Sequence, residues 1–340
     1  MKMKLEIYGT LGPSDCDKST LKEMFRHGMT GLRLNLSHRS LADCKEWLDN
    51  LYEVSEELHI VPDLLVDLMG PELRIGLLET PLVLESGDTL CLLPKEECPI
   101  PIPDYIYPFL KKGQQILLDD GRILLEIIDE EKLTAKVQNG GRLLSRKSLA
   151  LPGQNVDLPT LTEKDLENLS VLGAYRVTGV MLPFVRNAQD LITLKKELLA
   201  QGHAHVRIFA KIENQAGIDQ LASLLPHCDH VVIARGDLAN AVSITKLPAI
   251  QKKIARLCRR TKTPFMVVTQ MLASMENSPV PTRAEVSDIF NAVLDGASSL
   301  MLTGETAIGS YPVQAIKVLS DVSFEALRFR MEESFSLPIL

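Results

Sequence analysis

The sequence predicts an α/β fold: a (β/α)8 TIM barrel with a small all-β domain inserted after the third strand. Three observations predict it. Eight apolar, strand-like runs alternate with segments of helical period, and one stretch of different texture interrupts them. The Gly-rich fingerprint of an open dinucleotide-binding sheet is absent, which favours the closed barrel over a doubly wound sheet.

In chain order, LEIYGT leads into STLKEMFRHG, TGLRLNLS into SLADCKEWLDNLYEVSEELH, and VPDLLVDL closes the first part of the alternation. It resumes with the helix TEKDLENLSVLGAY. Then come VTGVMLPF with NAQDLITLKKELLAQG, HVRIFAKI with NQAGIDQLASLLPH, and HVVIARGD with LPAIQKKIARLCRR. PFMVVTQ with TRAEVSDIFNAVLDG and SSLMLTGE with the long C-terminal helix complete the eight pairs. Runs this continuously apolar belong to parallel strands covered by helices. Residues 77–155 differ: LVLESGDTLCLL, QQILLDDGRILLEIID and KLTAKVQNGGRLLSRKSLAL alternate in period two between Ser-Gly, Asp-Asp-Gly and Asn-Gly-Gly turns. The expected division is a barrel from 1–76 and 156–340 and an inserted β domain from 77–155. An insertion after a barrel strand sits on the C-terminal face, where sites of this fold are built, so the insert is placed as a lid.

The chain has 340 residues, 45% hydrophobic and 24% charged, with a net charge of −7. That balance argues against nucleic acid or an anionic membrane as the main partner. There is no signal-like N-terminus and no apolar run of membrane-spanning length. The six cysteines (Cys16, Cys44, Cys91, Cys98, Cys228 and Cys258) form no CxxC pair and read as reduced, mostly buried thiols of a cytoplasmic protein. His203, His205, His227 and His230 read as surface residues.

Polar residues gather where the strands end. The second strand ends in Arg33, Asn35 and Ser37, followed by His38; the third in Asp67, followed by Glu72 and Arg74. The fifth gives Lys211 and Glu213, the sixth Arg235 and Asp237, the seventh Thr269 and Gln270, the eighth Thr303 and Glu305; the fourth offers only Pro183 and Phe184. Alternation puts Lys211 and Glu213 on one face, and likewise Arg33, Asn35 and Ser37. Any one such charge is more often a rim ion pair than a catalyst, and Arg235 with Asp237 is the kind of pair that fastens a loop. The set is coherent, however. Glu213 and Asp237 suit a hard divalent cation, Arg33, Arg74 and Lys211 suit a phosphoryl group, and Gly236–Asp237 offers backbone N–H groups to a carboxylate.

These stretches resemble the pyruvate kinase family. GTLGPS, GLRLNLSH, VDLMGPELRIG, LLDDG, NGG, LPGQNVDLPTLTEKD, AKIENQAGI, IARGDL, TQMLASM and PTRAEVSDIFNAVLDGASSLMLTGETAIGSYP run in family order from residue 9 to about 315. The resemblance implies phosphoryl transfer from phosphoenolpyruvate to ADP, giving pyruvate and ATP, with Mg2+ or Mn2+ and K+ as cofactors. It places Glu213 and Asp237 on the divalent cation, and Asn35, Ser37, Asp67 and the Leu68 carbonyl on potassium, with Glu72 the residue type that accompanies potassium dependence. It puts Lys211, Arg33 and Arg74 at the phosphoryl group, and Gly236, Asp237 and Thr269 at the enolpyruvate. Thr303 and Glu305 fall on the proton path and Asp120 at the closing lid. Pro13, Asn35, His38, Arg74 and Lys147 fall in the nucleotide region.

The chain departs from the family pattern in four places. Leu68-Met69 replaces Thr-Lys, Pro183 replaces a serine, Thr303 replaces a serine, and Ala239-Asn240-Ala241 stands for Gly-aliphatic-Glu. It also stops after the eighth helix, so the resemblance implies no C-terminal regulatory domain, no sugar-bisphosphate control, and an assembly limited to barrel–barrel contacts, a homodimer. The alternatives are a variant using another donor, a weakly active regulatory paralogue, and a metal-dependent pyruvate-enolate lyase or aldolase.

Overall fold

A computed structural model describes residues 5–37, 39–93, 99–154, 156 and 158–336. The first three barrel strands are β1 (Glu6–Thr10), β2 (Gly31–Asn35) and β3 (Asp63–Asp67), separated by helices α1 (Lys18–Arg26) and α2 (Lys45–Leu58). Seven short strands follow: β4 (Leu82–Leu84), β5 (Thr89–Cys91), β6 (Gln115–Leu118), β7 (Ile123–Asp129), β8 (Thr134–Asn139), β9 (Gly141–Leu143) and β10 (Leu149–Ala150). The barrel then resumes with α3 (Glu163–Ser170), β11 (Gly179–Leu182), α4 (Ala188–Ala200), β12 (Arg207–Ile212), α5 (Gln215–Asp219) and α6 (Leu221–Leu224). It ends with β13 (His230–Ala234), α7 (Arg235–Ala241), α8 (Leu247–Thr261), β14 (Phe265–Val268), α9 (Arg283–Leu294), β15 (Ser299–Met301), α10 (Gly304–Ala307) and α11 (Pro312–Ser336).

The eight parallel strands close in the order β1-β15-β14-β13-β12-β11-β3-β2, the barrel that the alternation predicts. Its lumen is packed by Tyr8, Leu65, Met181, Phe209, Val232, Ala234, Met266, Val268 and Met301. Two glycines make room for the large rings. A Cβ on Gly31 would stand 2.7 Å from the Tyr8 ring, and one on Gly179 would stand 2.6 Å from that of Phe209. A second, larger core joins the outer strand faces to the helices, as expected where a sheet is covered on one side by amphipathic helices. The long α11 packs on α9 and α1. No helix among the described residues is long and apolar enough to cross a membrane.

The inserted strands form an antiparallel five-stranded sheet in the order β10-β6-β7-β8-β5 and a two-stranded ribbon, β4-β9. They bury their own core, which runs from Ile75 to Leu151 and includes Ile100, Ile116, Leu125 and Val137. An isolated bridge pairs Arg74 with Ser148, so the chain leaving β3 is tied to the returning strand where the two units meet. The turn between β6 and β7 carries three successive left-handed residues, Asp119 (φ 50°), Asp120 (φ 57°) and Gly121 (φ 79°). This sharp turn projects the Asp120 side chain outward, and a Cβ on Gly121 would meet Asn240 Oδ1 of α7 at 2.8 Å. The β unit therefore rests against the barrel mouth.

Two sequence expectations fail. His230 is buried, not on the surface: it stacks on Phe209 with ring centroids 4.7 Å apart inside the barrel floor. Of the five described cysteines, Cys44 and Cys258 are buried, Cys16 and Cys228 are half-buried and Cys91 is exposed, so the thiols are not mostly interior. Cys98 lies outside the described residues.

Candidate active site

The site begins with strand register. Along β12 the alternate residues Arg207, Phe209 and Lys211 rise through the lumen, and Glu213 follows as the strand breaks. Parallel pairing sets Asp67, the last residue of β3, beside Asn35 of β2, with Arg33 one step below. Asp67 Oδ2 accepts from Arg33 Nε at 2.8 Å and from Lys211 Nζ at 3.1 Å, so one buried carboxylate fixes two cations from different strands. Lys211 Nζ also lies 2.9 Å from Glu213 Oε1. That contact is out of hydrogen-bond alignment, and both Glu213 Oε1 and Asp67 Oδ1 are buried without a hydrogen bond.

The loop after β3 is anchored from a distance. Asp165 lies in the first turn of α3 and completes a capping box with Thr162; it also accepts from Met69 N and Gly70 N at 2.9 and 3.1 Å. Gly70 adopts φ 59°, and a Cβ there would meet Pro183 Cγ at 2.5 Å, so the loop packs directly on the end of β11. At that same end the Phe184 N–H donates to Glu213 Oε2 at 2.8 Å. The strand that offered no polar side chain thus contributes its backbone to the site.

The electrostatics follow from burial. The Glu213 carboxyl is pushed up to about 7, first by burial and further by Asp237 and Asp67, despite the attraction of Lys211. Asp237, in the first turn of α7, is raised by burial too, with Asp120 and Asp67 adding to it, and is close enough to Glu213 to share a hydrogen bond. Asp67 behaves oppositely. Burial works to raise it, but Lys211 and Arg33 together hold it below the usual carboxylate range. Burial opposes the charge of Lys211, yet Asp67 and Glu213 raise its pKa, so it stays an ammonium.

Two adjoining cavities open here. The smaller, about 170 Å³, is lined by Arg33, Asn35, Ser37, Asp67, Leu68, Met69, Glu72, Arg74, Asp120 and Lys211 along with Pro183, Phe184 and Asp237. The larger, about 370 Å³, lies between the β unit and the barrel. It shares Glu72, Asp120, Phe184 and Asp237 with the first and adds Glu213 and Ala241. Across the two cavities four cations, Arg33, Arg74, Arg186 and Lys211, thus face six carboxylates, Asp67, Glu72, Asp120, Glu213, Asp219 and Asp237. Arg74 is held by Glu72, Nε to Oε2 at 2.9 Å, and by the Arg146 carbonyl. Asp120 Oδ1 accepts from Ser148 Oγ.

The remaining candidates are placed differently. Thr269 packs on Gly236, where a Cβ would stand 2.9 Å from Thr269 Cγ2, but it lines neither cavity. Glu305 does not face the mouth: it is buried and accepts from Leu272 N and from the N–H of Thr303, so it braces two loops. Lys147 pairs with Asp119 at 2.6 Å, and neither Lys147 nor the exposed Pro13 lines a cavity. His38 lies outside the described residues. Arg235 does not pair with Asp237; its partner is Asp288 of α9 at 2.6 Å. Sequence reasoning missed Asp165, the Phe184 N–H and Asp288. The one signal that could have found any of them is the Thr-x-x-Asp spacing in TEKD, which marks Asp165 as a capping residue.

The site accepts a divalent cation in part. Among the described residues no three His, Cys, Asp or Glu side chains converge as a metal cluster. The chain offers two hard carboxylates, one with an oxygen that makes no hydrogen bond, and a surplus of negative charge. Such a site fits a cation completed by water and substrate oxygens. Asn35, Ser37, Asp67 and Leu68 lie together on one wall of the smaller cavity, with Asp67 Oδ1 lacking a donor.

A closed barrel with cations and surplus carboxylates meeting at its strand ends, under a β cover, defines a barrel enzyme built for cation-assisted chemistry on an anionic substrate. A family model described as "Pyruvate kinase, barrel domain" matches residues 2–316. The pyruvate kinase of Chlamydia muridarum is 36% identical over 330 residues, covering 95% of this chain and 69% of that protein. That of Borreliella burgdorferi is 32% identical over 334 residues, 96% of this chain and 69% of the relative. The Staphylococcus aureus enzyme is 35% identical over 333 residues, covering 95% and 57%. The chain belongs to the pyruvate kinase family.

Proposed function

We propose that this chain transfers the phosphoryl group of phosphoenolpyruvate to ADP, yielding pyruvate and ATP. The observation that carries the reading is the convergence of Arg33 and Lys211 on Asp67, beside the raised carboxyl pair Glu213 and Asp237. An ADP β-phosphate oxygen forms a bond to phosphorus as the bond from phosphorus to the enol oxygen breaks. The pyruvate enolate left behind takes a proton at its methylene carbon to become the methyl group.

Lys211 and Arg33 neutralise the equatorial oxygens of the transferring group, and Asp67 keeps both in place at no cost in flexibility. Arg74 adds charge at the nucleotide side, and Asp120 on the resting β cover closes the cleft against water. Gly236 and Asp237 would receive the donor carboxylate, and Thr269, packed against Gly236, would relay the proton. Glu213 and Asp237 would hold Mg2+ or Mn2+, and Asn35, Ser37, Asp67 and Leu68 would hold K+. When bound, these ions supply the positive charge that the surplus carboxylates lack. Glu305 accepts from the Thr303 hydroxyl at 3.2 Å as well as from the Leu272 and Thr303 N–H groups, and would hold Thr303 on the proton path that the resemblance implies. The substrates proposed place the protein in the cytoplasm, in keeping with its free thiols.

Coupled measurement of ATP and pyruvate from phosphoenolpyruvate and ADP, with Mg2+ and with or without K+, tests the reading. Turnover that needs the divalent cation supports it. No ATP under any cation condition, with the protein folded, overturns it.

A further inference from the structure

We infer that Arg235, oriented by Asp288, is a positioning residue that holds the Thr269–Gln270 backbone in the left-handed conformation placing Thr269 beside the enolpyruvate. The inference rests on the phosphotransfer reading and deepens it.

Two successive residues after β14 have positive φ, Thr269 at 77° and Gln270 at 55°. Neither is glycine, and a β-branched side chain at positive φ is a true outlier, so something must hold it there. Arg235 is that holder. Its Nε and Nη2 donate to the Thr269 carbonyl at 3.2 and 2.8 Å, and Nη2 also reaches the Gln270 carbonyl at 3.4 Å. The other arm, Nη1, donates to Asp288 Oδ2 at 2.6 Å, which fixes the plane of the guanidinium from α9. The Arg235 side chain is only 12% exposed, so its bonds to the Thr269 carbonyl are partly shielded from water, while Asp288 is 34% exposed.

The same residue opens α7, one position before Gly236 and two before Asp237. A Cβ on Gly236 would meet Thr269 Cγ2 at 2.9 Å, so the two loops touch directly as well. One guanidinium thereby sets the distance between the carboxylate proposed for the cation and the hydroxyl proposed for the proton. A lysine there keeps the charge but has no planar fork to bridge two carbonyls and a carboxylate. The loss therefore falls on steps that need Thr269 in place, above all protonation of the enolate, and less on nucleotide binding.

The experiment compares wild type, Arg235→Lys, Asp288→Asn and Arg235→Lys/Gln270→Gly. It reads kcat and KM for each substrate and the exchange of pyruvate methyl hydrogens with deuterated water by NMR. Arg235→Lys lowers kcat about 30-fold with KM for ADP unchanged, and methyl exchange falls by a similar factor. Asp288→Asn loses about fivefold, since the fork stays but its orientation loosens. Glycine adopts positive φ without strain, so Gln270→Gly restores about tenfold of the lost kcat. A role in overall stability alone would give no such rescue. The inference is overturned if Arg235→Lys and Asp288→Asn keep wild-type kcat and exchange, or if Gln270→Gly restores nothing in a protein that melts as the wild type does. If the wild type itself makes no ATP, the phosphotransfer reading fails instead, and the two failures are told apart.

Discussion

The barrel lumen carries a charged cluster at each end, and the two are built on opposite terms. At the floor Tyr8 donates its hydroxyl hydrogen to a shared site between Glu6 and Asp63. Arg207 pairs with Asp63 at 2.7 Å and lies over the Phe209 ring, and His230 Nε2 is 3.0 Å from Ser298 Oγ. None of these groups leaves a buried polar atom without a hydrogen bond. At the mouth, by contrast, Glu213 Oε1 and Asp67 Oδ1 are stranded, two carboxyls are forced together, and carboxylates outnumber cations. The floor reads as a finished structural network. The mouth holds a surplus of negative charge that Arg33 and Lys211 relieve only in part, and such a surplus marks a place for a ligand.

The largest expected effect breaks the mouth. Lys211→Met removes the ammonium that two buried carboxylates hold, and kcat falls about 10³-fold while the fold persists; steady-state kinetics with a thermal melt check this. Asp67→Asn should cost about 3 kcal/mol of stability as well as activity, because Arg33 and Lys211 lose their common buried anion. Urea unfolding of this variant reads the loss, and unchanged stability would mean that the two cations find other partners.

The floor answers to pH instead. The folded pKa of His230 is depressed to about 4, by burial first and by Arg207 second, whereas the unfolded value is near 6.5. Folding therefore favours the neutral ring. Its full stability is present above pH 6.5 and is lost as pH falls toward 4, by about 3 kcal/mol for a shift of this size. His230→Gln should flatten that part of the pH–stability curve and leave kcat at neutral pH within about twofold of wild type. The smallest effect concerns the cover. Gly121→Ala puts a methyl group against Asn240 at positive φ, so the turn should shift and kcat fall about threefold, with little change in melting temperature.

The same contrast explains what the sequence made legible. Strand-end residues such as Arg33, Lys211 and Asp237 announce themselves because a charge in an apolar run is costly without a partner, and period two then fixes which ones converge. The barrel itself was readable for the same reason. His230 was misplaced because a lone histidine opening a strand carries no periodic mark of burial, and its cover, the Phe209 ring, comes from the neighbouring strand. Asp165 and Asp288 reach the site from helices 95 and 53 residues away from Gly70 and Arg235, respectively, a separation at which no local pattern shows the contact. Glu305 looked like a mouth residue by position, but its carboxylate turns to two backbone N–H groups and the Thr303 hydroxyl, a choice that only the loop geometry decides.

Manganese binding followed by electron paramagnetic resonance tests the central contrast most directly, comparing wild type with Glu213→Gln and His230→Gln. The account predicts one saturable Mn2+ site in the wild type, retained in His230→Gln and lost in Glu213→Gln. Equal binding by all three proteins would contradict it, because the unmatched carboxylates at the mouth would then have no part in holding the ion.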